Sequence, residues 1–459
     1  MEMFNDSNTT ITTTPQTFHM QIQRSIIPST THIKVQEGRS QDQATVAGGQ
    51  FSKKLFQILF YSHLILIAIL ALVLTIKGLV SARRHHFYPD KWYPPLLISI
   101  ACAGVFSFTW QWITLLNPSK ALRAAFWLSP LLTCAISILL VLVGSTASSS
   151  IGAVILLFAL IQSLYACWVN PRFEYASKVL SVSIAFPPAN TTKLVGLSIA
   201  VGVLFSCFVV SGIGGATATS TGVDIFFISA MVISLWWSMQ VIKNTQQVTI
   251  SRVRHLNFAT GADMDDRIAF RDTVRELMGR VCIGSTIVPV VVVVRGFSRG
   301  IKLIAGDKDE FLFSCANCFS SVAKALASYG NRWGFVQVGA YDKDFVQASI
   351  DTWEMFRRRG LEQLIDSDLT SSFCFLCGMI GGAICSLVAG TWALVIHKNY
   401  ATELSIYAFL IGYFMCRVAM AWPQACVSAY YVAYAENPQN MRFDSTIPDR
   451  LQELQRYSV

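Results

Sequence analysis

Apolar residues along this chain gather in long blocks, unlike the period-two alternation of half-buried strands or the one-sided stripes of surface helices. Nine blocks run approximately over residues 55–76, 95–116, 124–143, 151–169, 194–213, 225–242, 281–297, 371–395 and 404–434. A hydrocarbon core roughly 30 Å thick needs about 20 apolar helical residues, because no water is present there to satisfy backbone groups outside a helix or closed barrel. Each block is therefore expected to span a membrane as a helix. A weaker block over 311–329 is interrupted by Asn317, several serines and Lys324. The fold class expected from the pattern is all-α, a polytopic integral membrane protein of about ten transmembrane helices.

Charge decides whether the weak block is counted. The 459 residues are 53% hydrophobic and only 14% charged, and Lys+Arg of 36 against Asp+Glu of 27 leaves +9. In a soluble protein that excess would raise nucleic-acid binding, but its placement points to topology. The connections 144–150 and 214–223 hold no Lys or Arg, whereas 243–280 holds Lys243, Arg252, Arg254, Arg267, Arg271, Arg275 and Arg280. Basic residues mark the cytoplasmic side, so the first two connections are expected outside and the third inside. Counting forwards, Lys343 and the run Arg357, Arg358, Arg359 fall inside only if 311–329 crosses. Ten spans leave both termini cytoplasmic. One loop dissents, with Lys77, Arg83, Arg84 and Lys91 outside between the first two spans.

Residues 1–50 are rich in Ser, Thr and Gln and too poor in large apolar residues to offset ordering entropy, which predicts a disordered cytoplasmic tail. No apolar signal region precedes the first span, which is expected to direct insertion itself. The sequons at Asn5 and Asn8 stay unglycosylated on this topology. The membrane domain is expected over 51–435, including the cytoplasmic loop 243–280, with a cytoplasmic tail over 436–459. Within 341–364, Val346, Ile350, Trp353 and Phe356 recur at helical spacing opposite Asp344, Gln347, Asp351 and the three arginines. Such an amphipathic helix suits either the inner leaflet or packing beneath the bundle.

Several motifs invite other chemistry. Cys315 with Cys318 and Cys374 with Cys377 form two C-x-x-C pairs, but the pairs are too far apart for a zinc ribbon and the second lies in an apolar span without nearby His. No metal and no cofactor are expected. The stretch Ser211-Gly212-Ile213-Gly214-Gly215-Ala216 resembles half a phosphate loop without its strand or Lys-Ser/Thr, and is read as a flexible outer turn. No catalytic signature is found, so no enzyme activity is expected. Basic residues spread over loops rather than one soluble face, which argues against nucleic-acid binding. Gly378, Gly381, Gly382 and Gly390 allow another helix to approach closely. Pro130, Pro289 and Pro423 each remove a backbone donor within a span, and such breaks can line transport cavities. Arg417, near the middle of the last span, is costly in lipid and must face protein or water. It is read either as a counter-charge or substrate contact, or as a structural partner of carbonyls and carboxylates.

The carboxyl half carries a resemblance. Trp236-Trp237-Ser238-Met239-Gln240 continues through Lys243, Asn244 and Gln246-Gln247 to Thr249, and Gly284-Ser285 opens the next span. Ser328-Tyr329-Gly330-Asn331-Arg332, Tyr341-Asp342-Lys343-Asp344-Phe345, Arg359-Gly360 through Asp368, and Ala435-Glu436-Asn437-Pro438 follow in order. These phrases resemble the choline transporter-like family, with Ala166-Cys167-Trp168 to Arg172 as the main echo in the amino half. The resemblance implies a ten-span helical carrier, free of cofactors, that moves choline or related amines such as ethanolamine. Ile250-Ser251-Arg252 replaces a small pair usual in relatives, Arg417 stands where relatives are usually uncharged, and the first outer loop is short, as in a divergent, plant-type branch.

Choline's trimethylammonium donates no hydrogen bond and is weakly hydrated, so aromatic faces are the natural recognition element, each worth about 2 kcal/mol or more when desolvated. Trp236 and Trp237 precede Gln240 by one helical turn, placing an amide where it could meet the choline hydroxyl. Trp110, Trp112, Tyr165, Trp168, Tyr413 and Trp422 are candidates to complete the cage. Pro289, Pro423, Arg417, Gly381 and Gly382 are candidates for gating or structure. Expected partners are a small organic cation and membrane lipids, with the plasma membrane or an endomembrane as location. A membrane scaffold without transport and a channel are the alternatives.

Overall fold

The computed structural model describes residues 42–81, 87–185, 190–219, 222–305, 321–322 and 325–457. The chain divides into two units, residues 1–46 and 47–459, and apart from the first residues of α1 everything that follows lies in the second. Most of the expected tail, both sequons, the Cys315 and Cys318 pair and most of the weak block 311–329 lie outside the described residues.

The long helices follow the apolar blocks. They are α1 (Asp42–Ser81), α2 (Pro89–Leu116), α3 (Pro118–Val143), α4 (Thr146–Val169), the short α5 (Phe173–Ile184), α6 (Thr191–Thr219) and α7 (Asp224–Thr260). Then come α8 (Asp266–Asp272), α9 (Met278–Ala305), α10 (Gly334–Tyr341), α11 (Phe345–Arg358), α12 (Glu362–Asp366), α13 (Thr370–Ile396), α14 (Ala401–Ala419), α15 (Ala421–Glu436) and α16 (Thr446–Tyr457). Among the described residues nine helices are long and apolar enough to cross a membrane, and none of the elements is a strand. Leu66 and Leu72 of α1, Leu131 of α3, Leu164 of α4 and Val293 of α9 all point outward. So much exposed apolar surface suits lipid, not water. The protein is an all-α, multi-pass integral membrane protein.

Three features differ from expectation. The block 404–434 is not one span, because the chain turns at Met420 and separates α14 from α15. Pro423 explains the turn: it lacks an N–H, and its ring excludes the carbonyl four residues earlier, so it is tolerated only in the first turn of a new helix. Hydropathy sees one apolar run because α15 is buried from Ala421 to Ala435.

The glycine run 211–216 is not a flexible turn either. It lies inside α6, where Gly212, Gly214 and Gly215 are buried. A Cβ on Gly212 would meet Ala71 at 3.1 Å, and one on Gly214 would meet the Trp92 ring at 2.7 Å. The missing side chains let α6 press against α1 and α2.

The segment 243–280 is helical rather than an open loop: α7 continues to Thr260, burying Lys243 through Ser251. Likewise α1 already runs from Asp42, inside the expected tail, and α16 occupies much of the tail after residue 436. The amphipathic segment packs beneath the bundle. There α11 buries Phe345, Ala348, Thr352 and Phe356 while Val346 stays exposed.

The glycines of α13 act as packing surfaces. A Cβ on Gly381 would lie 2.8 Å from Cys416 Cβ and 2.9 Å from the Gly412 carbonyl oxygen, and one on Gly382 would lie 2.8 Å from the Phe409 carbonyl. This backbone-to-backbone approach joins α13 to α14. Gly381→Val is expected to cost about 1–3 kcal/mol through overpacking. Gly296→Ala on α9, with nothing within 4 Å of the new Cβ, is expected to be neutral or stabilising. Thermal unfolding of the purified variants checks both.

Candidate functional site

Of the expected aromatic cage, Trp110, Trp422, Tyr165, Trp236 and Tyr413 border one core cluster, and Trp237 belongs to another. Trp237 turns toward α1, its ring 5.5 Å from Phe60 and 4.8 Å from His63, with its buried indole N–H unpartnered. Trp236 packs instead against the main core, so neighbouring indoles on α7 serve different contacts. Gln240 is half-buried, and its main-chain carbonyl accepts from Ser285 at 3.5 Å. Trp110 donates to Cys377 Sγ at 3.0 Å. The Tyr165 hydroxyl meets Ser372 at 2.8 Å.

Trp168 is 64% exposed beneath the Arg172 guanidinium, as suits an aromatic at a membrane interface. Tyr413 packs among Phe375, Phe409 and Phe414. Trp422 is fully buried in the first turn of α15. Pro289 lies within α9 and Pro130 within α3. Arg417 is half-buried on the last turn of α14, its Cγ against Gly378.

Aromatic rings do meet a carboxylate elsewhere. Glu403 stands in the first turn of α14 with Tyr407 one turn further along the same face. Trp92, fully buried in α2, brings its ring centroid to 6.4 Å from Tyr407, 4.9 Å from Tyr93 and 6.0 Å from Phe87. Thr217, near the end of α6, donates to Glu403 Oε1 at 3.5 Å, and the Tyr407 hydroxyl reaches the same carboxylate. The Trp92 indole N–H faces it without completing a bond of good geometry. Helix ends from α2, α6 and α14 thus hold one carboxyl group among π-faces. The sequence did carry the signal, Glu403 and Tyr407 at four-residue spacing, but an apolar span begins one residue later, at Leu404.

The other end of the bundle is held by polar bonds. Asp342 takes a left-handed conformation (φ 55°) that turns the chain between α10 and α11. Asp342 and Asp344 both engage Arg280, and Lys53 also reaches Asp344 at 2.5 Å. Arg332 pairs with Asp368. Glu436 accepts from the Tyr341 hydroxyl at 2.9 Å and meets His255 Nε2 at 2.9 Å. Arg359 donates to the carbonyls of Ala435 at 3.1 Å and Glu436 at 3.4 Å, satisfying the carboxyl end of α15. Asn244 donates to Ser285 at 2.9 Å, and Gly284 leaves room for the rings of Phe335 and Phe345. The separate phrases of the carboxyl half therefore converge on one seal.

Among the described residues no group of three or more His, Cys, Asp or Glu side chains could hold a metal ion. Cys374 and Cys377 are buried, with Cys374 Sγ donating to the Met420 carbonyl at 3.4 Å.

The sequence pattern of the plasma-membrane choline transporter family matches residues 127–439. The chain is also similar to fungal proteins named PNS1. It is 24% identical to that of Mycosarcoma maydis over 371 residues, 74% of this chain and 69% of the relative. Against Debaryomyces hansenii the identity is 23%, over 65% of each chain. Against Aspergillus fumigatus it is 22%, over 61% of this chain and 51% of the relative. The chain thus spans between half and about two thirds of these relatives' length.

Within the seal, Arg332 and Asp368 have side chains only 14% and 2% exposed. Removing one partner strands a charge in a dry setting, so Asp368→Asn is expected to lower stability by about 3–5 kcal/mol. The Arg358 and Glu354 pair, exposed on α11, supplies the contrast: Glu354→Gln is expected to cost under about 1 kcal/mol. Denaturation midpoints in one detergent compare them.

Proposed function

Because the chain belongs to the plasma-membrane choline transporter family, we propose that it carries choline or a related small organic amine, ethanolamine-like, across the plasma membrane. The observation that carries the reading is Glu403 held among Trp92, Tyr407 and Thr217 at the end of the bundle opposite the basic seal. A quaternary ammonium needs a negative charge and π-faces rather than hydrogen-bond acceptors, and those are the groups gathered there. Positive-inside placement of the basic segments puts this end outside, where Glu403 receives the cation. The break at Met420 and the seal beneath it lie on the inner side.

Transport then proceeds by alternating access. The cation leaves Glu403 as the outer helix ends close, and the seal around Glu436, Arg359 and Tyr341 parts to release it inside. A monovalent cation entering an inside-negative cell gains about 2.3 kcal/mol per 100 mV, roughly a fifty-fold accumulation, so the potential suffices as driving force.

Radiolabelled choline uptake into proteoliposomes with an imposed potential tests the reading. Saturable uptake that rises with inside-negative potential is expected; no saturable uptake of choline or ethanolamine by folded protein would leave a scaffold, and non-saturating flux a channel. Glu403→Gln and Trp92→Leu are each expected to raise KM by about 10-fold or more, since one desolvated cation contact is worth about 2 kcal/mol. Unchanged KM in both variants would remove the site.

A further inference from the structure

Two guanidinium groups at neighbouring ends of α3 and α4 take no part in the proposed path or the seal. The helices run antiparallel, and Ser129 of α3 donates to Gln162 of α4 at 2.7 Å. Three residues further along each, Phe126 stacks on Tyr165 with centroids 6.1 Å apart. The next turn in the same register sets Arg123 opposite Trp168, each six residues, about 9 Å of helix, from the Ser129 and Gln162 bond. Arg172 folds back to the same level, its guanidinium carbon 4.7 Å from the centre of the Trp168 ring. Phe173, beside Arg172, meets Phe126 edge-on at 4.9 Å and so ties the two arginine-bearing segments together.

The charge there is of one sign. Residues 117–126 and 169–185 hold Lys120, Arg123, Arg172 and Lys178 against the single acid Glu174. Lys178 takes that acid at 3.1 Å, and neither Arg123 nor Arg172 has an acidic partner among the described residues. Arg123 is exposed, and so is the Trp168 indole beneath Arg172. Leu164 and Leu160 stand one and two turns from Trp168 on the same face of α4, 71% and 57% exposed. An apolar track thus leads from the arginines into the hydrocarbon.

Planar guanidinium forks match phosphate oxygens, and the track accounts for acyl chains attached to that phosphate. A free phosphate would use the cations and leave the track unused. A zwitterionic headgroup would bring its own ammonium against Lys120 and Lys178, so a net negative headgroup is favoured. Positive-inside placement puts these helix ends at the cytoplasmic leaflet, where anionic lipids are found. We propose that Arg123 and Arg172, set around the Trp168 indole, bind the headgroup phosphate of an anionic phospholipid whose acyl chain lies along Leu164 and Leu160. The site uses none of the residues around Glu403 or Glu436, so it stands whichever substrate is carried.

The test offers the full purified chain, in neutral detergent, equal amounts of phosphatidylglycerol and phosphatidylcholine of distinguishable mass. Native mass spectrometry then identifies the first lipid retained. Phosphatidylglycerol is expected to be preferred about 5-fold or more, the change that one cation beside an anionic headgroup supplies. Arg123→Gln combined with Arg172→Gln should remove the preference, while Arg358→Gln, which deletes an exposed cation of α11, should keep it. Equal retention of the two lipids by the native chain overturns the site, and this comparison needs no variant to fold. A preference that survives in the double variant, or is lost equally in Arg358→Gln, also overturns it. Displacement of the phosphatidylglycerol by excess glycerol 3-phosphate would overturn the assignment to a lipid.

Discussion

The rest of the structure depends on the break at Met420 that Pro423 imposes. Had the chain continued as one helix, residues 421–435 would extend α14 along its axis toward water. Instead they form α15, whose every residue from Ala421 to Ala435 is buried. Two of its tyrosines find partners there: Tyr431 meets Tyr175 at 2.9 Å and Tyr430 meets Asp444 at 2.6 Å. The carbonyls at its end are taken by Arg359, the arrangement a helix terminus favours because cationic donors complement its partial negative charge. One missing N–H thus ends one helix and starts a separate buried one.

The bundle has two unlike ends. At one, Glu403 sits among aromatic rings contributed by short stretches of helix. At the other, bonds from α7, α9, α10, α11 and α15 meet within a few residues of one another, including the shared acceptor Glu436. Residues far apart in sequence, such as His255 and Glu436, are bound there at 2.9 Å, so the seal forms only when the helices are assembled. Bonds of this kind are individually modest and mutually dependent.

Much of this was legible in the sequence and some of it could not be. Apolar block length located the spans because the bilayer sets a length that the chain must match, and eight of the nine blocks lie within single helices. Block length fails at 404–434, since a helix buried in protein and a helix in lipid carry the same apolar signature. It also failed at Gly212, Gly214 and Gly215, where small residues read locally as a turn but serve a contact with α1 and α2 that no local pattern records. The separation of the two neighbouring indoles was illegible for a related reason: Trp236 and Trp237 differ by about 100° around α7, and which face meets α1 is set by tertiary packing. Glu403 was missed because a carboxylate one residue outside an apolar run counts as loop until the helix ends around it are known.

The central claim is that the seal under α15 must part for cargo to cross. The most direct measurement links Arg359→Cys to Ala435→Cys with a short bifunctional thiol reagent in proteoliposomes, with the chain carrying its native cysteines treated alongside. The account expects choline uptake to stop when the pair is linked, to return when a cleavable linker is reduced, and to persist in the treated native chain. Undiminished uptake by fully linked protein would contradict it.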